Sequence, residues 1–167
     1  AAAQLDVLFR DAQAIENLRD VDTLVLDKTG TITVGRPAFD RVITVKGFSE
    51  EQVLSSAAGL DRTSEHPLAR AVVAGAESRG VRPSTVTNFV SVTGQGVRGE
   101  SEGHPLALGN VALMKSDGVS TEPIAQEVEQ LRRQGRTVIF LSVDSKLAGA
   151  IAGAAGGVLP ESARTIA

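Results

Sequence analysis

The apolar run Thr23-Leu24-Val25-Leu26, ending on Asp27-Lys28-Thr29-Gly30-Thr31, constrains this chain more than any other stretch. The run predicts a buried strand, and Thr29-Gly30-Thr31 predicts the turn that leaves it. Asp27 then stands at the carboxyl end of a strand, where open α/β sheets place their reacting groups. A carboxylate there can attack a phosphoryl group and form an aspartyl phosphate once a cation neutralises the charge. Lys28 and a bound Mg²⁺ are the candidates for that neutralisation. The plainer use of Asp27 is to cap the turn after the strand, a frequent role for aspartate.

The rest of the chain follows a different pattern. An amphipathic helix is predicted over Asp6 to Arg19 and a strand over Val21 to Leu26, after which Gly35-Arg36-Pro37 reads as a hinge. Phe39 to Val45 alternates as a strand. Ser49, with Glu50, Glu51 and Gln52 behind it, opens a helix running to about Leu60. A second helix is expected from about Pro67 to Arg79, stopped by Gly80. From Val86 to Leu108 the pattern is β-rich, with Gly94 and Gly96 marking a turn between strands. Glu122 to Gln134 predicts a helix, and Thr137 to Val143 with Leu147 to Ala152 a hairpin turning at Asp144-Ser145-Lys146. The expected organisation is an α+β domain over residues 37–153, with an antiparallel sheet and helices on one side. Residues 1–36 and 154–167 are expected to be stubs of a separate α/β domain into which it is inserted.

Composition narrows the functions such a domain can have. Hydrophobic residues make up 42% of the 167 and charged residues 22%, which allows a packed core. The formal net charge is −3 and no basic block is present, which argues against a nucleic-acid partner. With no cysteine, disulfides and thiolate metal sites are excluded. The only histidines, His66 and His104, are far apart in sequence, and His104 reads as a surface turn residue. No stretch of the chain approaches the roughly 18 apolar residues of a membrane span.

Asp27-Lys28-Thr29-Gly30-Thr31 resembles the phosphorylation motif of the P-type ATPases, ion pumps that pass through an aspartyl-phosphate intermediate. Ser64-Glu65-His66-Pro67-Leu68-Ala69 is similar to the His-Pro motif of their heavy-metal-transporting, copper-type branch. Gly94-Gln95-Gly96-Val97, then Gly109-Asn110 followed by Leu113-Met114, agree with that branch in order and spacing. The resemblance implies a nucleotide-binding domain joined to part of a haloacid-dehalogenase-like phosphorylation domain, with ATP and Mg²⁺ as cofactors. Asp27 would be the nucleophile with Lys28 beside it, and Asp27 and the backbone carbonyl of Thr29 would hold Mg²⁺. Asp61, Glu65, His66, Gly94, Gly96, Gly109 and Asn110 would bind the nucleotide. His66 would order the adenine site. Without the resemblance, a histidine just before a helix is more often a capping or packing residue, and the glycines could be ordinary turn residues. The implied parent pump is a metal exporter, with copper the implied ion, and this domain lies at the cytoplasmic face of its membrane. The implied partners, besides adenine nucleotide, are the actuator, the remainder of the phosphorylation domain and the membrane helices.

Three departures qualify the resemblance. Where the branch usually carries Glu five residues before the motif histidine, this chain has Asp61, which implies a weaker or water-bridged contact to adenine. The tail Gly153-Ala154-Ala155-Gly156-Gly157-Val158-Leu159 lacks the charged pair expected before Pro160-Glu161-Ser162. The Thr-Gly-Asp and Gly-Asp-Gly motifs that would bring further ligands to Asp27 do not appear before Ala167, so Asp27 is expected to be idle in this chain. Two other functions are consistent with parts of the sequence. One is a soluble haloacid-dehalogenase-like phosphatase, against which Thr29 counts, because it replaces the general-acid Asp of those enzymes. The other is a non-catalytic module with a decayed nucleotide site.

Overall fold

The computed structural model describes residues 22–23 and 37–154. The predicted first helix, the strand before Asp27, Asp27, Lys28 and Thr29 themselves, and the tail beyond 154 lie outside the described residues. Strands β1 (Ala38–Thr44), β2 (Thr87–Val92), β3 (Gly96–Ser101), β4 (His104–Gly109), β5 (Arg136–Val143) and β6 (Lys146–Ala154) form one sheet. Its order is β1-β6-β5-β4-β3-β2, and every neighbouring pair is antiparallel. Helices α1 (Glu50–Asp61) and α2 (Ala69–Ser78) lie between β1 and β2, and α3 (Val111–Ser116) and α4 (Ala125–Arg133) between β4 and β5. Among the described residues no helix is long and apolar enough to cross a membrane.

Local signals set these elements. Ser49 Oγ accepts from the Gln52 N–H at 3.1 Å while Gln52 Oε1 accepts from the Ser49 N–H at 2.9 Å, a reciprocal cap that starts α1 with Glu50 and Glu51 in its first turn. The β3–β4 turn holds Glu102 and Gly103 at positive φ, and the β5–β6 turn holds Asp144 and Ser145 there, as two-residue hairpins with right-handed twist require. His104 is not a turn residue: it opens β4, and its Nδ1 lies 2.8 Å from Asp144 Oδ2, tying the two hairpin ends together.

The helices cover both faces of the sheet, not one side. Val53, Leu54 and Leu60 of α1 and Leu68, Val72 and Ala76 around α2 pack on Val97, Leu106, Leu108, Ile139, Leu141 and Ile151. On the opposite face, Leu113, Met114, Ile124, Val128 and Leu131 pack on Ala107, Val138, Phe140, Ala150 and Ala152. The physical reason is in β5 and β6. Successive residues Val138, Ile139, Phe140 and Leu141 are all buried, so each face of that strand needs a cover. The helix α3 has no counterpart among the predicted elements. Asn110, expected to line a nucleotide site, also caps it, with its Oδ1 accepting from the Leu113 N–H at 3.1 Å.

Candidate nucleotide cleft

The carboxyl end of α1, the loop that follows it, the β2–β3 turn and the end of β4 enclose a cleft of about 280 Å³. Asp61, Glu65, His66, Gly94, Gly96, Gly109 and Asn110 all line it. These residues are scattered over fifty positions of sequence, and the antiparallel order of β2, β3 and β4 brings them together. The floor is apolar, made by Val97, Leu108 and Ile139, with Val92, Ser91, Gln95 and Ser64 completing the wall. Val97 closes the quoted glycine motif, but sequence reasoning did not single out Leu108 and Ile139, because buried strand positions give no signal that separates a cleft floor from ordinary core. A space of that size, near the lower end of the roughly 300–1,000 Å³ usual for small-molecule sites, accommodates a base and sugar more readily than a whole nucleoside triphosphate.

His66 has a definite local role in the cleft. The Leu68 N–H donates to His66 Nδ1 at 3.2 Å, and the His66 N–H donates to Ser64 Oγ at 3.2 Å. The imidazole therefore covers the start of α2 through Nδ1 and keeps Nε2 free to donate outward. Partial burial lowers the His66 pKa, which favours this neutral ring. Asp61 differs from its neighbours. It is 4% exposed, and its Oδ2 has no hydrogen-bond partner. Burial pushes its carboxyl up to about 7, against a smaller opposing effect of a hydrogen bond with Ser64. Asp61 is the last residue of α1, at the negative end of the helix dipole, and the last turn holds no basic residue. That position further disfavours a negative charge.

The glycines are explained largely by strand packing. Gly96 and Gly109 are cross-strand partners. A Cβ on Gly96 would stand 2.2 Å from Leu108 O, and one on Gly109 would stand 2.2 Å from Gln95 O. Gly94 has φ of 69° and open space where a side chain would go, so its turn conformation is the constraint there. Asn110 spends both ends of its amide within the protein: besides capping α3, its Nδ2 donates to Gly94 O at 2.9 Å. Asn110 thus fixes the glycine turn against the end of β4, and its own atoms face the cleft from the rim.

A larger cleft, about 560 Å³, lies at the opposite end of the sheet between the start of α1 and the two hairpin turns. Of the sequence motifs only His104 reaches it, and its rim mixes Glu51, Glu102 and Asp144 with Lys146. Size does not decide between clefts; the convergence of motif residues singles out the smaller one. Among the described residues no group of three or more potential metal-ligating His, Asp or Glu side chains occurs.

The chain matches a family model described as haloacid dehalogenase-like hydrolase over residues 21–167. A copper-transporting P-type ATPase of Rhizobium leguminosarum bv. viciae is 44% identical over 146 residues, covering 87% of this chain and 17% of that relative. The chain thus spans under a fifth of the length of that curated relative. In structure it is similar to a zinc-transporting PIB-type ATPase in its E2.Pi state, with TM-score 0.73 and 26% identity, covering 84% of this chain and 22% of the other. It is also similar to the N-domain of HMA8, a copper-transporting P-type ATPase, with TM-score 0.59 and 28% identity over 70% of this chain and 98% of that domain.

Proposed function

The chain belongs to the haloacid dehalogenase-like hydrolase family, and on that footing we propose that residues 37–153 are the ATP-binding domain of a heavy-metal-exporting P-type ATPase, with copper the transported ion. The observation that carries this is the convergence of Asp61, Glu65, His66 and the glycine turns on one apolar-floored cleft. In this reading the base lies on Val97, Leu108 and Ile139, which supply the flat apolar contact in a chain without Trp or Tyr. His66 orders the adenine, with Nε2–H as its free donor, and Glu65 stands at the exposed mouth. The phosphates leave past Gly94 and Gly96, where bare backbone lets them approach.

Residues 1–36 and 154–167 belong, on this proposal, to the phosphorylation domain. Asp27 is its nucleophile, Lys28 steadies the developing charge, and Asp27 and the Thr29 carbonyl hold Mg²⁺, which when bound would neutralise the phosphoryl oxygens. Thr29 lacks the proton-transfer capacity of an acid at that position, which suits a long-lived aspartyl phosphate. The domain division is supported by the sheet. Ala38 and Ala154 are cross-strand partners, so the chain enters and leaves residues 37–153 at one edge, as an inserted domain must. The partners of the assembled pump would be its actuator, the rest of its phosphorylation domain and its membrane helices, which place this domain at the cytoplasmic face.

Calorimetric titration with the adenosine β,γ-imidotriphosphate analogue tests the site. Saturable binding with a dissociation constant on the order of 0.1–1 mM is expected, since only base and sugar are enclosed. His66→Ala, checked for retained secondary structure, is expected to weaken it tenfold or more, roughly the loss of one well-placed contact. Undiminished binding in the variant would remove His66 from the site.

A further inference from the structure

Asn110 lines the nucleotide cleft, yet its hydrogen bonds run to the protein. Its backbone N–H donates to Gln95 O at 2.8 Å and its Nδ2 donates to Gly94 O at 2.9 Å. One residue thus grips two consecutive carbonyls of the β2–β3 turn. The Gln95 N–H meanwhile donates to Val92 O at 2.9 Å. The planar Gly94–Gln95 peptide is therefore held at both its carbonyl and its N–H, which locks its orientation. Packing does not fix Gly94, which has φ of 69° and open space where a Cβ would stand. The brace is itself anchored. Asn110 Oδ1 accepts from the Leu113 N–H, Leu113 and Met114 of α3 are buried against the other face of the sheet, and Arg98 of β3 pairs with Asp117 at the far end of that helix. A helix of six residues would not persist alone, but this one is fastened at both ends.

We propose that Asn110 is a positioning residue for the phosphate side of the nucleotide, acting through the Gly94 turn and not by contact with the ligand. The resemblance implied a ligand at this position; the geometry gives the side chain another task. Its oxygen is oriented by the cap of α3 and its nitrogen by Gly94 O, so the amide plane is fixed by protein partners at both ends. Swinging it toward a ligand would uncap the helix and release the turn together. The triphosphate leaves the cleft over the backbone of Gly94 and Gly96. A loose turn would have to be ordered when the phosphates arrive, and that ordering subtracts from affinity. Asn110 orders it beforehand. The base instead lies on Val97, Leu108 and Ile139, whose places in β3, β4 and β5 do not depend on the turn. The two parts of the ligand therefore answer to different residues, and loss of the tether falls on the phosphates.

This inference rests on the nucleotide reading of the cleft, and the experiment separates the two. Adenosine and adenosine β,γ-imidotriphosphate are titrated into the full chain and into Asn110→Ser, followed by amide NMR. Serine caps helices well, carries no charge and is too short to reach Gly94 O, so the variant keeps α3 capped and loses the tether. The unmutated chain is expected to bind the triphosphate more tightly than adenosine. In Asn110→Ser that advantage is expected to shrink about fivefold, the weight of one hydrogen bond, with the loss on the triphosphate. Equal weakening of both ligands, an undiminished advantage, or no advantage in the unmutated chain would each overturn the assignment while leaving nucleotide binding intact. The tether also has a readout that needs neither variant nor ligand. Nuclear Overhauser contacts are expected between the Asn110 side-chain amide and the Gly94 α-protons of the unmutated chain, and their absence would overturn the assignment even if Asn110→Ser fails to fold. Absence of saturable binding by the triphosphate analogue in the unmutated chain would overturn the nucleotide reading itself, and the assignment with it.

Discussion

At the scale of single residues, the buried carboxyl of Asp61, with Oδ2 unpartnered, couples the fold to pH. Its folded-state pKa, about 7, lies above the ordinary 3.8. The folded chain therefore holds a proton that the unfolded chain releases between those values, and stability falls as pH rises through that window. The gap corresponds to roughly 4 kcal/mol, an upper bound on the effect. Below the ordinary value the term vanishes, and above about pH 7 its full cost is present. Asp61→Asn, which cannot ionise, is expected to raise stability above about pH 8 by roughly 1–3 kcal/mol and to leave it little changed near about pH 3.5, below the ordinary value of the carboxyl. Urea titrations at both pH values check this; equal effects at the two would contradict it. Gly96→Ala carries the opposite sign, since its Cβ would meet Leu108 O and Gly109 Cα at 2.2 and 2.5 Å, both immovable backbone. A loss of roughly 2–4 kcal/mol is expected by thermal unfolding, with Gly94→Ala costing less because open space surrounds its Cβ. The sequence alone identified these positions but not their reasons. Gly-x-Gly reads as a turn or a phosphate approach, while the pairing of Gly96 with Gly109 becomes visible only once β3 and β4 are in register.

At the scale of elements, the helix caps and hairpin turns were legible because each is decided by neighbours in sequence. Ser49 with Gln52, and the polar turn at Asp144-Ser145, announce α1 and the β5–β6 hairpin directly. The short helix α3 was not, since six residues give less than two turns of periodicity and only its cap, Asn110, marks it. The same residue shows how one side chain serves two elements. Asn110→Ala is expected to lose the cap of α3 and the tether to Gly94 together, costing roughly 1–2 kcal/mol by chemical unfolding. Asn110→Asp keeps the capping oxygen but not the Nδ2 donor, so it is expected to recover about half of that loss while leaving the Gly94 turn untethered. Recovery of the whole loss would deny the tether to Gly94 any weight. Arg98 fastens the other end of this helix, its Nε donating to Asp117 Oδ2 at 3.2 Å and its second nitrogen reaching Asp117 Oδ1.

At the scale of the whole molecule, the sheet is covered on both faces and its first and last strands are paired. The expectation of helices on one side failed because strand-by-strand periodicity does not report the second face when the middle of β5 and of β6 is buried on both faces. The convergence of the motifs was legible only as order along the chain; the three-dimensional meeting of Asp61, His66, Gly94 and Asn110 needed the β2–β3–β4 meander. A polypeptide of residues 37–154 alone is expected to unfold in one cooperative transition, seen as coincident near-UV and far-UV changes. The central claim, that the smaller cleft is the adenine site, is tested most directly by amide NMR of the chain titrated with the adenosine analogue. The account predicts saturating shifts confined to residues 61–66, 91–97 and 108–110, with Phe48, Ser55 and His104 at the larger cleft unmoved. Shifts centred on the larger cleft, or none that saturate, would contradict it.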